Sequence, residues 1–142
     1  MLEKFGGEGK VYYSEESERK VNELIKRRIV QQKIHAFQIG AALGILLNQR
    51  KAVENPVNFG NVYSLDNGNV LESVILIKHP EASSGKDRLN LLQEYAEGGI
   101  DLLYTEALLE KSVDWETLII RMRPTDWGDA QSGVNVPPEG LD

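Results

Sequence analysis

The sequence predicts a mainly α fold: a single helical domain with a short N-terminal strand and a buried central helix. Three observations point there. The stretch HAFQIGAALGILLNQRK, residues 35–51, is apolar around most of a helical circumference, as a helix enclosed on several sides must be. Ahead of it, Val21, Leu24, Ile25 and Ile29 recur at helical spacing behind Ser14, a good N-cap, with Glu15 and Glu16 placed for the first-turn dipole. The chain has 142 residues, 41% hydrophobic and 27% charged, which suits one globular domain with its own core.

The elements follow in order. Residues 1–9 are polar and Gly-rich and read as a flexible N-terminus. The helical domain spans 10–123 and begins with a strand–helix–helix unit, 10–49. Lys10-Val11-Tyr12-Tyr13 has the aromatic and β-branched character of a strand. The first helix runs from Ser14 to about Val30. The second runs from about Lys33 to Gln49, with Ile34, Phe37, Ala41 and Ile45 on one stripe and Ile39, Leu43, Leu46 and Leu47 on another. Gly40 and Gly44, with Ala36, Ala41 and Ala42, allow neighbours to approach it closely.

Residues 51–60 read as a loop punctuated by Pro56 and Gly60. Asp66-Asn67-Gly68-Asn69 is a turn whose Asp66 or Asn69 caps the next element. VLESVILIK, 70–78, fits a helix face through Val70, Val74 and Ile77 and a strand through its β-branching; the helix is the preferred reading. After a loop over 79–85, a helix over 86–97 turns Leu89, Leu92 and Ala96 inward and stops at Gly98-Gly99. Another helix follows from Ile100 to about Glu110, and a short one covers 114–120. Residues 124–142 read as a flexible tail that Trp127 pins.

The chain has no cysteine, so disulfides, thiolate catalysis and Cys-based zinc sites are excluded. MLEKFGGEGK carries no signal-peptide core, and the longest apolar run is well short of the roughly 18–20 residues that span a bilayer. A cytoplasmic protein without membrane contact is expected.

The net charge of −6 is unevenly placed. Nine basic and four acidic residues lie from Lys10 to Lys51; six basic and sixteen acidic lie from Ala52 onward. A basic front on an acidic body suggests an anionic partner for the front, two halves that attract each other, or simply solvated helix faces.

Few groups suit catalysis. His35 opens an apolar helix, as a cap or core histidine does, and His79 stands before Pro80 in a loop and reads as exposed. There is no HExxH, CxxC or GxSxG, and GGEGK lacks the glycine spacing and the Ser or Thr of a phosphate loop. The expectation is a protein with no catalytic residue, no metal and no cofactor.

Two patterns bear on function. The strand, capped helix and apolar helix across 10–49 outline a ribbon–helix–helix DNA-binding dimer, in which Lys10 and Tyr12 face the major groove and Val11 and Tyr13 the core. That reading demands a homodimer and a short inverted repeat in the DNA. A plain strand packed on a helical domain is the preferred alternative.

The second pattern joins HAFQIGAALGILLNQRK to LQEYAEGGIDLL, residues 92–103. Phe37, Ala41, Leu43, Gly44, Arg50 and Lys51, then Glu94, Tyr95, Ala96, Gly98, Gly99, Ile100 and Leu103, make the chain resemble the DNA phosphorothioation-associated protein 4 family. The likeness covers about residues 10–120, with Glu97 standing where an Asn is expected. It implies a non-catalytic accessory protein of a Dnd-type DNA phosphorothioate modification or restriction system. Its expected partners are the modification or restriction proteins and double-stranded DNA. From charge alone, Lys10, Lys26, Arg27, Arg28, Lys33, Arg50 and Lys51 are the candidates for phosphate contact, with Tyr12 added by the ribbon reading. A third reading is a protein–protein adaptor without DNA affinity, whose acidic body meets a basic partner. Bottom-up, Gly98-Gly99 as a cap and Tyr95 as a core aromatic explain the second block by packing.

Overall fold

Ser14 ends a strand and starts a helix. In the computed structural model, which describes residues 9–66 and 70–110, β1 (Lys10–Ser14) runs directly into α1 (Glu15–Lys26). The Ser14 hydroxyl accepts from the Ser17 amide at 2.9 Å, the N-cap expected from the sequence, and Glu15, Glu16 and Glu18 fill the first turn. α1 ends at Lys26 rather than at Val30. Arg28 turns left-handed at φ 63°, so that its amide reaches the Ile25 carbonyl and the Ile29 amide the Leu24 carbonyl. These two bonds make a Schellman motif with an arginine where glycine is usual.

α2 (Lys33–Leu47) follows and closes on Asn48, left-handed at φ 56°. It is the predicted central helix: Ala36, Phe37, Gly40, Ala41, Leu43, Gly44 and Leu47 are all buried. The expected loop over 51–60 instead contains β2 (Pro56–Asn61), antiparallel to β1, with Val11 opposite Gly60 and Tyr13 opposite Val57 around a bulge at Val11/Tyr12. PVNFGN has poor strand propensity, and tertiary packing overrides it. Phe59 stacks on Tyr13 at 4.2 Å between centroids and leans on Phe37 at 5.0 Å, so the strand is held by an aromatic cluster from three elements.

α3 (Val62–Leu65) and α4 (Val70–Lys78) lead to α5 (Gly85–Glu110). The helical reading of 70–78 holds, and Asp66 caps it, accepting from the Leu71 and Glu72 amides at 2.9 Å each. Its face is not the expected one. Glu72 and Ile75 are buried, whereas Val70 and Ile77 are 64% and 81% exposed.

The largest correction concerns Gly98-Gly99. They do not stop a helix; α5 runs through them for 26 residues, about 39 Å at 1.5 Å per residue. α5 packs along α2, and Leu92, Tyr95, Ala96, Ile100 and Leu103 share one core with Val11, Tyr13, Leu24 and Phe37. The sequence readings for residues 1–8, the turn at 67–69, the helix at 114–120 and the tail at 124–142 lie outside the described residues.

Candidate functional site

The two sequence blocks around Gly44 and Gly99 meet at one helix crossing. A Cβ on Gly99 would overlap the Gly40 carbonyl, one on Gly44 the Tyr95 carbonyl, and one on Gly98 the Gln49 carbonyl. Backbone lies on backbone there, which only glycine permits. The Gly40/Gly44 spacing on α2 is therefore a packing device, as expected, and Gly98-Gly99 is its counterpart on α5.

This crossing sets Glu97 beneath the start of α1. Its carboxylate accepts from the Ser14 amide and the Ser14 and Ser17 hydroxyls, at 2.7, 2.7 and 2.8 Å. An anion at a helix N-terminus with three donors is well compensated despite burial. One turn along α5, Asp101 receives Lys20 at 2.6 Å and faces Lys51 at 3.7 Å. Burial pushes its carboxyl up, but Lys20 and Lys51 together outweigh burial and hold it below the ordinary carboxylate range. Above this centre opens a cleft of about 430 Å³, lined among others by Glu15, Glu16, Lys20, Lys51, Glu54 and Glu97. Its floor is a charge network in which Ser14 and Ser17 hold Glu97, and Lys20 and Lys51 hold Asp101.

Two further polar clusters flank α4. Arg88, fully buried, donates from Nε to Glu72 Oε2 at 3.0 Å and from Nη1 to the Ala82 carbonyl at 3.0 Å. His79, expected to be exposed, is largely enclosed. Its Nε2 lies 2.6 Å from the Tyr95 hydroxyl and its Nδ1 2.9 Å from Glu81. Tyr95 donating to Nε2 and Nδ1–H donating to the carboxylate satisfy a neutral ring. The Glu81–His79–Tyr95 line has the order of a relay, but Tyr95 is 1% exposed and burial raises its pKa. A phenol so enclosed ties α4 to α5. Among the described residues, no group of three His, Asp or Glu side chains is placed to hold a metal ion, and no helix is long and apolar enough to cross a membrane.

The eight residues singled out for nucleic acid are split. Lys26, Arg27, Arg28 and Lys33 gather at the α1–α2 turn. Arg50 and Lys51 lie at the other end of α1, about 18 Å away for a helix of 12 residues. Lys10, exposed, opens β1. Half of the set is engaged by the chain's own carboxylates: Arg27 by Glu23 at 2.8 Å, Lys33 by Glu18 at 2.9 Å, Arg50 by Glu94 and Lys51 by Asp101, each at 3.7 Å. Mutual attraction of the halves accounts for Arg50 and Lys51, whereas Arg27 and Lys33 pair with carboxylates of the front itself.

Tyr12 is half-buried, and its amide donates to Gln93 Oε1 at 2.9 Å. With the Ser14 amide on Glu97, α5 meets one edge of β1 while β2 pairs with the other. Neither edge of β1 is left to form a ribbon with a second copy. The chain matches no family model, no curated protein and no solved structure.

Sequence reasoning missed the roles of Ser17, Lys20, Glu97 and Asp101, which come together only when α5 crosses α1. The spacing of Ser14 and Ser17 carries the one local signal, a cap. It also missed that Tyr63 on α3 and Val70 and Ile77 on α4 face outward, with Tyr63 75% exposed. Those side chains were read as an inward face or not read at all.

Proposed function

We propose that this chain is a non-catalytic accessory protein of a DNA phosphorothioate modification or restriction system, and that it works by docking on a protein of that machinery through α3 and α4. The observation that carries this reading is a division of labour among side chains. The buried charged groups Glu97, Lys20, Arg88 and Glu72 each have a partner within the chain, whereas large apolar side chains at Tyr63, Val70 and Ile77 face outward. Tyrosine and aliphatic side chains outside the core are what a protein contact uses. The link to phosphorothioation rests on the resemblance of the two blocks that cross at Gly44 and Gly99.

The test is co-purification of the tagged full chain with the purified sulfur-modification and restriction proteins, one at a time. Capture of one of them, lost in Ile77→Asp and in Tyr63→Asp and retained in Leu108→Asp, supports the reading. Capture of none, or capture indifferent to Ile77 and Tyr63, sinks it.

A further inference from the structure

The α1–α2 turn carries charge that the fold does not use. From Leu24 to Val53 the chain contains no acidic residue. Among the described residues, the carboxylates that pair with the turn are Glu23 and Glu18, one each for Arg27 and Lys33. Lys26 and Arg28 are exposed and make no ion pair among the described residues. Gln31 and Gln32, also exposed, lie between them and Lys33.

Helix electrostatics explain only part of this. A cation in the last turn of α1 suits its dipole, and Lys26 does that. Lys33 has the opposite setting: it opens α2, whose first turn holds no acid. Stability alone would place carboxylates there. Arg28 adds a second departure, since it occupies the left-handed position after α1 where glycine is unstrained. Its side chain points into solvent from a backbone conformation that disfavours it.

We propose that the α1–α2 turn, through Lys26, Arg28, Gln31 and Gln32 with Arg27 and Lys33 beside them, is a contact surface for the phosphate backbone of double-stranded DNA. The chemistry of the surface selects that partner. Lysine and arginine offer only donors and positive charge, glutamine adds further donors, and a phosphodiester backbone is an unbroken row of charged acceptors. A protein partner would present donors as well, which the cations cannot meet and which only the two glutamine carbonyls could accept. Contacts to phosphate oxygens carry no base information, so the contact is independent of base sequence. It shares no side chain with the α3–α4 contact, so it stands or falls without the protein partner.

The experiment is fluorescence anisotropy of the full chain with a 20-base-pair duplex over a salt series from low to physiological ionic strength. Neutralising two to four phosphates predicts a slope of log K against log salt of about −2 to −4, equal for unrelated sequences. Lys26→Ala with Arg28→Ala should weaken binding roughly tenfold at low salt and flatten the slope by about 2. Arg50→Ala with Lys51→Ala should leave both unchanged. Arg28→Glu, at an exposed position, repeats the test without touching the core, and circular dichroism checks that each variant is folded. Absence of binding at low salt overturns the proposal, as does equal loss in the Arg50/Lys51 variant. Binding of polyglutamate as tightly as the duplex would assign the surface to an acidic polypeptide and overturn it as well.

Discussion

Gly99 lies so close to Gly40 that a Cβ on it would overlap the Gly40 carbonyl. The α2–α5 contact is backbone against backbone, and everything α5 carries toward α1 and β1 is placed by it. Neither glycine is there for a turn; neither has a positive φ.

Gly99→Ala is accordingly expected to destabilise by about 3 kcal/mol or more, because a helix backbone cannot yield as a flexible side chain does. Gly44→Ala meets the Tyr95 carbonyl and should cost a similar amount. Gly60→Ala is the control. Its Cβ would stand 3.6 Å from Ile34 Cδ1, an ordinary contact, and stability should change by less than about 1 kcal/mol. Urea unfolding of the three variants checks this.

Glu97 accepts three hydrogen bonds from Ser14 and Ser17. Glu97→Gln keeps the shape but turns an NH2 toward donors, and should cost about 1–3 kcal/mol. Ser14→Ala removes the α1 cap together with one donor to Glu97, and about 1–2 kcal/mol should be lost. The double variant should lose less than the sum, since both changes break the same bond. A double-mutant cycle by chemical denaturation reads that coupling.

The Asp101 carboxyl titrates below its ordinary value because Lys20 and Lys51 outweigh burial. A depressed acid stabilises the fold above its unfolded-state pKa, about 3.9, and that contribution is lost as pH falls through the lower folded-state value. Glu18 behaves likewise: the hydrogen bond from Tyr13 lowers it most, and Lys33 assists. Stability should therefore be level near neutrality and fall below about pH 4. Asp101→Asn should flatten that fall and reduce stability at pH 7. Thermal melts from pH 2.5 to 7 on both proteins decide it.

Arg28→Gly should raise stability, by about 0.5–1 kcal/mol, because φ 63° is free for glycine and strained for arginine. An unchanged or lower melting temperature would mean that the arginine side chain stabilises the turn itself.

Much of the architecture was legible locally. Ser14 as a cap, α1 with Val21 and Leu24 inward, α2 as the enclosed helix and the Asp66 cap of α4 follow from spacing and from hydrogen-bond chemistry within a few residues of chain. The elements that were misread depend on what lies opposite. PVNFGN has no strand pattern of its own and pairs because Phe59 finds Tyr13 and Phe37. The Val70 and Ile77 stripe is as apolar as the one that is buried, and nothing within α4 says which side α5 will take.

By itself the sequence determined the helical class, the central place of α2 and the imbalance of charge, since periodicity, caps and composition act over a turn or two of chain. Only the tertiary structure decided that Gly98-Gly99 is a crossing and not an end, because a diglycine is equally suited to both until another backbone lies on it. Only the fold, too, brought Lys33, Arg50 and Lys51 to Glu18, Glu94 and Asp101 and left Lys26 and Arg28 to solvent. Coulomb attraction depends on distance in space, and sequence separation does not report it.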